Sequence, residues 1–331
     1  MEALAANLVR HTKTLGEMRS IDDQQYKTNN IVASHVLSSS CRFSGRLLRW
    51  FPTTKFFRLS NSRMQQLLRL RLGIPTVHPL VRWRCDCSDA DAVNVPALLE
   101  RIAPDEVLTG VCLRAEPCHA LSCRKRWRRV VKRHDNVRDV LYRWLNALPH
   151  VAASWEPRVD VNGNPYRRVD VSAEFGGKTW QIDVRFACPA TRSRVDTRHT
   201  DTKPGAAARL AYGDKVRAYR GIQHALVGEL LPFVVETGGR LAAKSIRSLK
   251  ELVGGAVREQ MTRGSLENVG DVEAEVEAQC ATLCRRIGDE VAKSACYMMA
   301  GLIGDLMKVR QRRMMQHQLQ AADPHGGGGD P

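Results

Sequence analysis

The chain has 331 residues, with 51 Lys and Arg against 35 Asp and Glu, a formal net charge of +16. That length holds two domains or one elaborated domain, and that charge points to a polyanionic partner, nucleic acid first, the bland alternative being a generally basic surface. The longest apolar run, 295–303, is too short to span a bilayer, and the first residues lack the apolar core of a secretory signal, so the expectation is a soluble, intracellular protein with no membrane partner.

Residues 1–23 are polar and of mixed charge. From Gln24 to Cys85 there is no Asp or Glu, yet eleven Lys and Arg, interleaved with Trp50, Phe51, Phe56 and Phe57. Basic charge with stacking-capable rings suits a nucleic-acid backbone and unpaired bases; the alternative places the rings in a core. Met64, Leu67, Leu68 and Leu72 recur at helical spacing over Asn61–Leu72, and Gly73 and Pro75 stop that helix.

Cys85, Cys87, Cys112, Cys118, His119 and Cys123 form a cluster. Without a secretory signal, such a cluster is read as metal-binding before disulfide-bonded. Zinc takes four Cys or His ligands. Cys85, Cys87 and Cys123 with either Cys118 or His119 supply a structural Zn²⁺ set, free thiols being the alternative.

Arg124, Lys125, Arg126, Arg128, Arg129, Lys132 and Arg133 then pack seven cations into eleven positions ending at His134. Val130, Val137, Leu141 and Leu145 fall near one side, which predicts an amphipathic helix with its arginines on the remaining face, closed by Pro149. Such a helix suits phosphate contacts or a nuclear localisation signal, and the expected localisation is nuclear.

The stretch 167–185 predicts a hairpin. Val169, Val171, Ala173 and Phe175 alternate with Asp170, Ser172 and Glu174, and Trp180, Ile182 and Val184 alternate with Gln181, Asp183 and Arg185. Gly176-Gly177 between them forms the turn. Phe175 then pairs with Lys178, which sets Asp170 directly opposite Asp183. Two opposed carboxylates about 5 Å apart repel each other unless a cation lies between them, and Mg²⁺ or Mn²⁺ takes such oxygen ligands. The alternative is a solvated hairpin with two surface aspartates.

Residues 187–204 read as a loop, and a helix is predicted from Gly205 to about Leu231, with Lys215 and Tyr219 on one face. Residues 231–237 predict a third strand ended by Gly238-Gly239. Residues 240–262 and 271–316 predict helices, with Cys280 and Cys284 at core-facing spacing. The glycine-rich end, 321–331, predicts a disordered tail.

In order, then, the chain carries a Cys/His cluster, Arg133-His134-Asp135-Asn136, Asp170, Asp183 twelve intervening residues later, and Lys215 with Tyr219. This resembles the C-terminal restriction-like endonuclease domain of site-specific non-LTR retrotransposons, over about residues 85–240. That family shows a CCHC knuckle, an RH-D/N motif, a PD-x(12–14)-D pair and a downstream K-x3-Y. The proline of the pair is Val169 here, and His119 stands one residue beyond the family's position.

The resemblance implies an α/β (α+β) fold with a restriction-endonuclease-like mixed sheet flanked by helices, and helical N-terminal and C-terminal extensions. It implies a zinc knuckle with an insertion over 81–125 and the nuclease over 126–240, and the basic helical region over 1–80 resembles the stretch that precedes that domain. Periodicity and composition, outside the resemblance, give the helical extension over 241–316 and the tail over 317–331. Asp170 and Asp183 would hold Mg²⁺, Lys215 would orient water or stabilise the phosphorane-like transition state, and Tyr219 and Arg133-His134 would support the site or the DNA. The partners implied are DNA and the element's RNA. The reaction implied is a metal-dependent nick that primes reverse transcription. The alternative is a catalytically silent nucleic-acid-binding protein.

Overall fold

The computed structural model describes residues 33–34, 36–38, 119–161, 164–190, 195, 198–222, 226–262 and 269–322. The expected basic region over 1–80, including the helix over 61–72, lies almost wholly outside these, as do Cys85, Cys87, Cys112, Cys118 and the tail from 323. Among the described residues no helix is long and apolar enough to cross a membrane.

Two short 3-10 helices, His119–Leu121 and Arg124–Arg126, lead into helix α1, Trp127–Leu145. Strand β1, Ala152–Trp155, follows. A separate two-stranded antiparallel ribbon comes next, β2 (Arg158–Val161) with β3 (Asn164–Arg168). Strands β4 (Val171–Phe175) and β5 (Lys178–Ala187), helix α2 (Ala206–Arg220), strand β6 (Glu229–Glu236), and helices α3 (Ala243–Thr262) and α4 (Val269–Ala322) complete the chain.

The main sheet has four strands in the order β1-β4-β5-β6. The β1–β4 and β4–β5 pairs are antiparallel and the β5–β6 pair is parallel. The fold is therefore a mixed sheet flanked by helices. The expected hairpin is its centre: Phe175 pairs with Lys178, Ala173 with Trp180 and Val171 with Ile182. Gly176 and Gly177 take φ of 55° and 72°, the left-handed pair a two-residue hairpin turn requires.

Alternation along β5 builds two faces. Trp180, Ile182 and Val184 join Val171 and Ala173 of β4 and Leu231, Phe233 and Val235 of β6 in one large core, covered by Val137, Leu141 and Leu145 of α1, Leu249, Leu252 and Val253 of α3, and Leu283, Ile287 and Val291 of α4. The helices expected as a C-terminal extension thus share the core of the sheet, Cys280 and Cys284 included. The opposite face is built from small residues: Ala187 and Val234 meet Ala207, Ala208 and Ala211 of α2. Alanines let α2 lie close to the sheet.

Three boundaries differ from expectation. Helix α2 ends at Arg220, with Gly221 as its cap, and does not reach Leu231; Ile222 and Leu226 leave the helix to pack under Val169. Arg167 and Arg168 belong to the ribbon, because β3 pairs with β2 and not with the hairpin. And α1 stops at Leu145, four residues before Pro149, with the Asn146 amide bonded to the Tyr142 carbonyl at 3.0 Å.

Candidate active site

The site forms where the hairpin ladder ends. The last paired residues are Val171 and Ile182. Asp170 sits one step beyond, in a bend, so it is not a strand residue as the alternation suggested. Its backbone is nonetheless held on both sides. The Asp170 amide donates to the Ile182 carbonyl at 3.0 Å, and its carbonyl accepts from the Glu156 amide at 3.1 Å. Glu156 in turn accepts from the Arg138 guanidinium of α1, which also lies over the Trp155 ring, 4.5 Å from its centroid. Arg138 is buried and ion-paired to Asp139 at 3.3 Å and Asp135 at 3.5 Å. It positions Asp170 through Glu156, a role the sequence reading did not assign; a charged residue on the apolar side of α1 was its only signal.

The Asp170 carboxylate turns back onto β5. Its Oδ2 accepts the Val184 amide at 2.6 Å and lies 3.2 Å from His134 Nε2. His134 also has the Val184 carbonyl at 3.2 Å and Asp135 at 3.4 Å. On the α2 side, Asp183 is nearly sealed from solvent, and Lys215 Nζ reaches its Oδ2 at 2.5 Å. Tyr219, one turn on, also hydrogen-bonds Asp183, and the Asp170 carboxyl lies beside it. The expected closeness of Asp170 and Asp183 is thus observed, and Lys215, Tyr219 and His134 join them from two helices.

The electrostatics of the two carboxyls diverge. Burial pushes Asp183 up, the Lys215 ammonium opposes it, the neighbouring Asp170 charge adds to it, and the result stands above the usual carboxylate value. Burial also pushes Asp170 up, but the hydrogen bond and charge of His134, with the Val184 amide, outweigh it and hold Asp170 low. His134 moves the other way: burial disfavours its charge, yet its bonds to Asp170, Asp135 and the Val184 carbonyl raise it above the ordinary imidazole value. Two carboxyls in contact titrate as a pair, in separate steps.

Among the described residues no group of three or more His, Cys, Asp and Glu side chains is arranged to hold a metal ion. The donor set here is two carboxylates, which fits a hard cation that keeps water and phosphate oxygens as its other ligands. Of the expected zinc ligands, Cys85, Cys87 and Cys118 lie outside the described residues; His119 and Cys123 are both buried just before α1, where Cys123 Sγ receives Arg126 Nη1 at 3.8 Å.

The expected basic face of α1 divides in two. Lys125, Arg128 and Lys132 are exposed. Arg126 and Arg133 are buried instead. Arg126 and Arg129 reach Asp305 of α4, at 3.6 and 2.9 Å. Arg133 packs over the Phe186 ring, 4.2 Å from its centroid. Arg124 opens the 3-10 helix Arg124–Arg126. A guanidinium can be buried where an aromatic face and a partner carboxylate are near, and charge counting alone does not reveal that.

No protein-family model matches this chain, and no curated protein is similar to it at a significant level.

Proposed function

We propose that the chain is a metal-dependent DNA endonuclease of the restriction-like, retrotransposon type. One observation carries the reading: Asp170, Asp183, Lys215 and Tyr219, from a strand end, a strand and a helix, meet at one point. Two contacting acids with a lysine beside them form the side-chain set that phosphodiester hydrolysis by a hard cation uses. The fold supports it, since a mixed four-stranded sheet flanked by helices agrees with a restriction-endonuclease-like core.

Asp170 and Asp183 would hold Mg²⁺ or Mn²⁺, which when bound supplies Lewis-acid stabilisation of charge on the reacting phosphate. The remaining work falls to the chain. Val184 N–H and His134 fix the orientation of Asp170. Lys215, which here offsets the charge of Asp183, is the cation available to a phosphate oxygen. Tyr219 keeps Asp183 aimed.

The test is nicking of supercoiled plasmid with Mg²⁺, comparing the chain with Asp183→Ala. Nicking by the parent alone supports the assignment. Equal nicking by both proteins refutes it. A second reading, a nucleic-acid-binding protein that does not cleave, is favoured by the exposed cations Lys125, Arg128 and Lys132, which do not depend on the carboxylate pair. DNA binding without nicking by either protein selects it. Nuclear localisation belongs to both readings.

A further inference from the structure

On the face of the sheet opposite Asp183, α1 and α4 diverge around a cleft of about 920 Å³. Its walls carry six cations, Arg128, Arg129, Lys132, Arg133, Arg143 and Lys293, against two carboxylates, Asp139 and Glu290. Both carboxylates are already engaged. Asp139 pairs with Arg138 at 3.3 Å, and Glu290 accepts from Asn136 at 2.8 Å and lies 3.8 Å from Lys293. Arg128, Lys132 and Arg143 make no ion pair among the described residues.

Arg133 is the centre of the argument. It is 2% exposed, stacked on Phe186, and its Nε and Nη1 have no hydrogen-bond partner. Arg129 Nη1 is likewise without an acceptor, although Nη2 holds Asp305. Buried donors are normally satisfied, and each exception asks for a missing acceptor. Burial of Arg133 pulls its pKa down to about 10, so it remains charged at neutral pH. A planar guanidinium with open donors fits the oxygens of a phosphate. The bare α-carbon of Gly301 belongs to the same arrangement: a Cβ there would collide with the Arg129 guanidinium, so the glycine lets that arginine lie across α4.

We propose that this α1–α4 cleft binds backbone phosphates of a nucleic-acid chain, at a place separate from the carboxylate pair. The cations run along α1 from Arg128 to Arg143, about 22 Å at 1.5 Å per residue, the length of several nucleotides and far beyond a single phosphate. Tyr297 on the α4 wall is 46% exposed and offers a ring for a base. The proposal gives α4 a role in binding. It rests on the nuclease reading only in choosing nucleic acid over other phosphate chains.

The experiment is fluorescence anisotropy with a labelled DNA duplex, in EDTA and over a range of salt, so that cleavage plays no part. Lys132→Gln with Arg143→Gln is expected to weaken binding at least tenfold and to lower the slope of log affinity against log salt by about two, at about 0.9 per phosphate contact. Tyr297→Glu, which brings a carboxylate into the cleft from the other wall, is expected to weaken binding about tenfold. Lys178→Gln, which removes a half-exposed cation at the hairpin turn outside both the cleft and the carboxylate pair, should bind like the parent. All four positions are chosen away from the Phe186 stack, and near-UV circular dichroism checks that the variants fold. Unchanged affinity and slope in both cleft variants overturn the proposal. Loss of nicking leaves this result untouched, and failure here leaves the carboxylate assignment untouched.

Discussion

Removing the ammonium from Asp183 is the most informative single change. In Lys215→Met the Asp183 carboxyl, with 7% of its side chain exposed, keeps Tyr219 but loses the cation at 2.5 Å, and Asp170 remains beside it. Breaking a buried ion pair by removing one partner costs about 3–5 kcal/mol. Lys215 retains 22% side-chain exposure, and Asp183 keeps a hydrogen bond, so about 2–3 kcal/mol is the expected loss at neutral pH. The direction with pH follows from the raised value of Asp183. A carboxyl raised in the folded state stabilises the fold when protonated, and that contribution is lost as pH rises through the folded value. The variant raises Asp183 further. Its deficit should therefore be largest at neutral pH and shrink as pH falls into the carboxylate range. Urea unfolding of both proteins at about pH 7.5 and about pH 5 measures this. If Asp170 and Asp183 also hold a divalent cation, Mg²⁺ at about ten times its Kd should restore about 1.4 kcal/mol to the variant. A deficit equal at both pH values, and indifferent to Mg²⁺, would refute the account of Asp183 as a buried, cation-dependent carboxylate.

Two further outcomes are expected. His134 is raised by Asp170, so its charged form stabilises the fold below the ordinary imidazole value of about 6.5, and that contribution fades as pH rises through the folded value; His134→Gln should flatten the fall in Tm over that interval, and an unchanged pH profile would count against the contact. At Gly255 of α3 a Cβ would run into the Phe175 ring, so Gly255→Ala gains about 1 kcal/mol of helix propensity and loses about 1–3 to overpacking; the expected net is a lower midpoint in denaturant, and a higher one would show that Phe175 moves aside at little cost.

What the sequence made legible was local. Alternation and Gly176-Gly177 give the hairpin its turn and register, since one apolar face and a two-residue loop leave a single pairing. The Asp170–Asp183 neighbourhood follows from that register. What periodicity could not show was where a pattern stops being helical. Ile222 and Leu226 continue the spacing of α2, yet they cover Val169 from outside the helix, because Gly221 ends it and tertiary packing overrides the pattern. Nor could the ladder's end be read. Val169 and Asp170 continue the alternation, but Arg167 and Arg168 are drawn into the β2–β3 ribbon, which leaves Asp170 in a bend. The buried arginines were hidden for a similar reason. Arg133 looks like a surface cation in sequence, and the position of Phe186 explains its burial; Arg138 lies on the apolar side of α1 and is buried because Trp155 covers it and Asp135, Asp139 and Glu156 pair with it.

The route by which Lys215 reaches Asp183 explains why its distance in sequence matters little. On β5 the position two residues after Asp183 is Arg185, on the same face but about 6.6 Å further along the strand. It lies 3.5 Å from Asp214 of α2 and is thereby turned to that helix. The parallel pairing of β5 with β6 requires a crossover, and α2 is that crossover, set against the face that carries Asp183. The small alanines at its start bring the helix close, and one residue past Asp214 the chain presents Lys215 to Asp183. The cation is therefore fixed by where α2 docks and not by the number of residues between β5 and α2. The segment after β5 is itself tied down, with Val195 buried among Ala295 and Met298 of α4 and the Thr200 hydroxyl donating to the Pro189 carbonyl at 2.8 Å, so it can be long without moving the lysine. The part of the pattern that must be kept is the docking surface: Ala207, Ala208 and Ala211 against Ala187 and Val234.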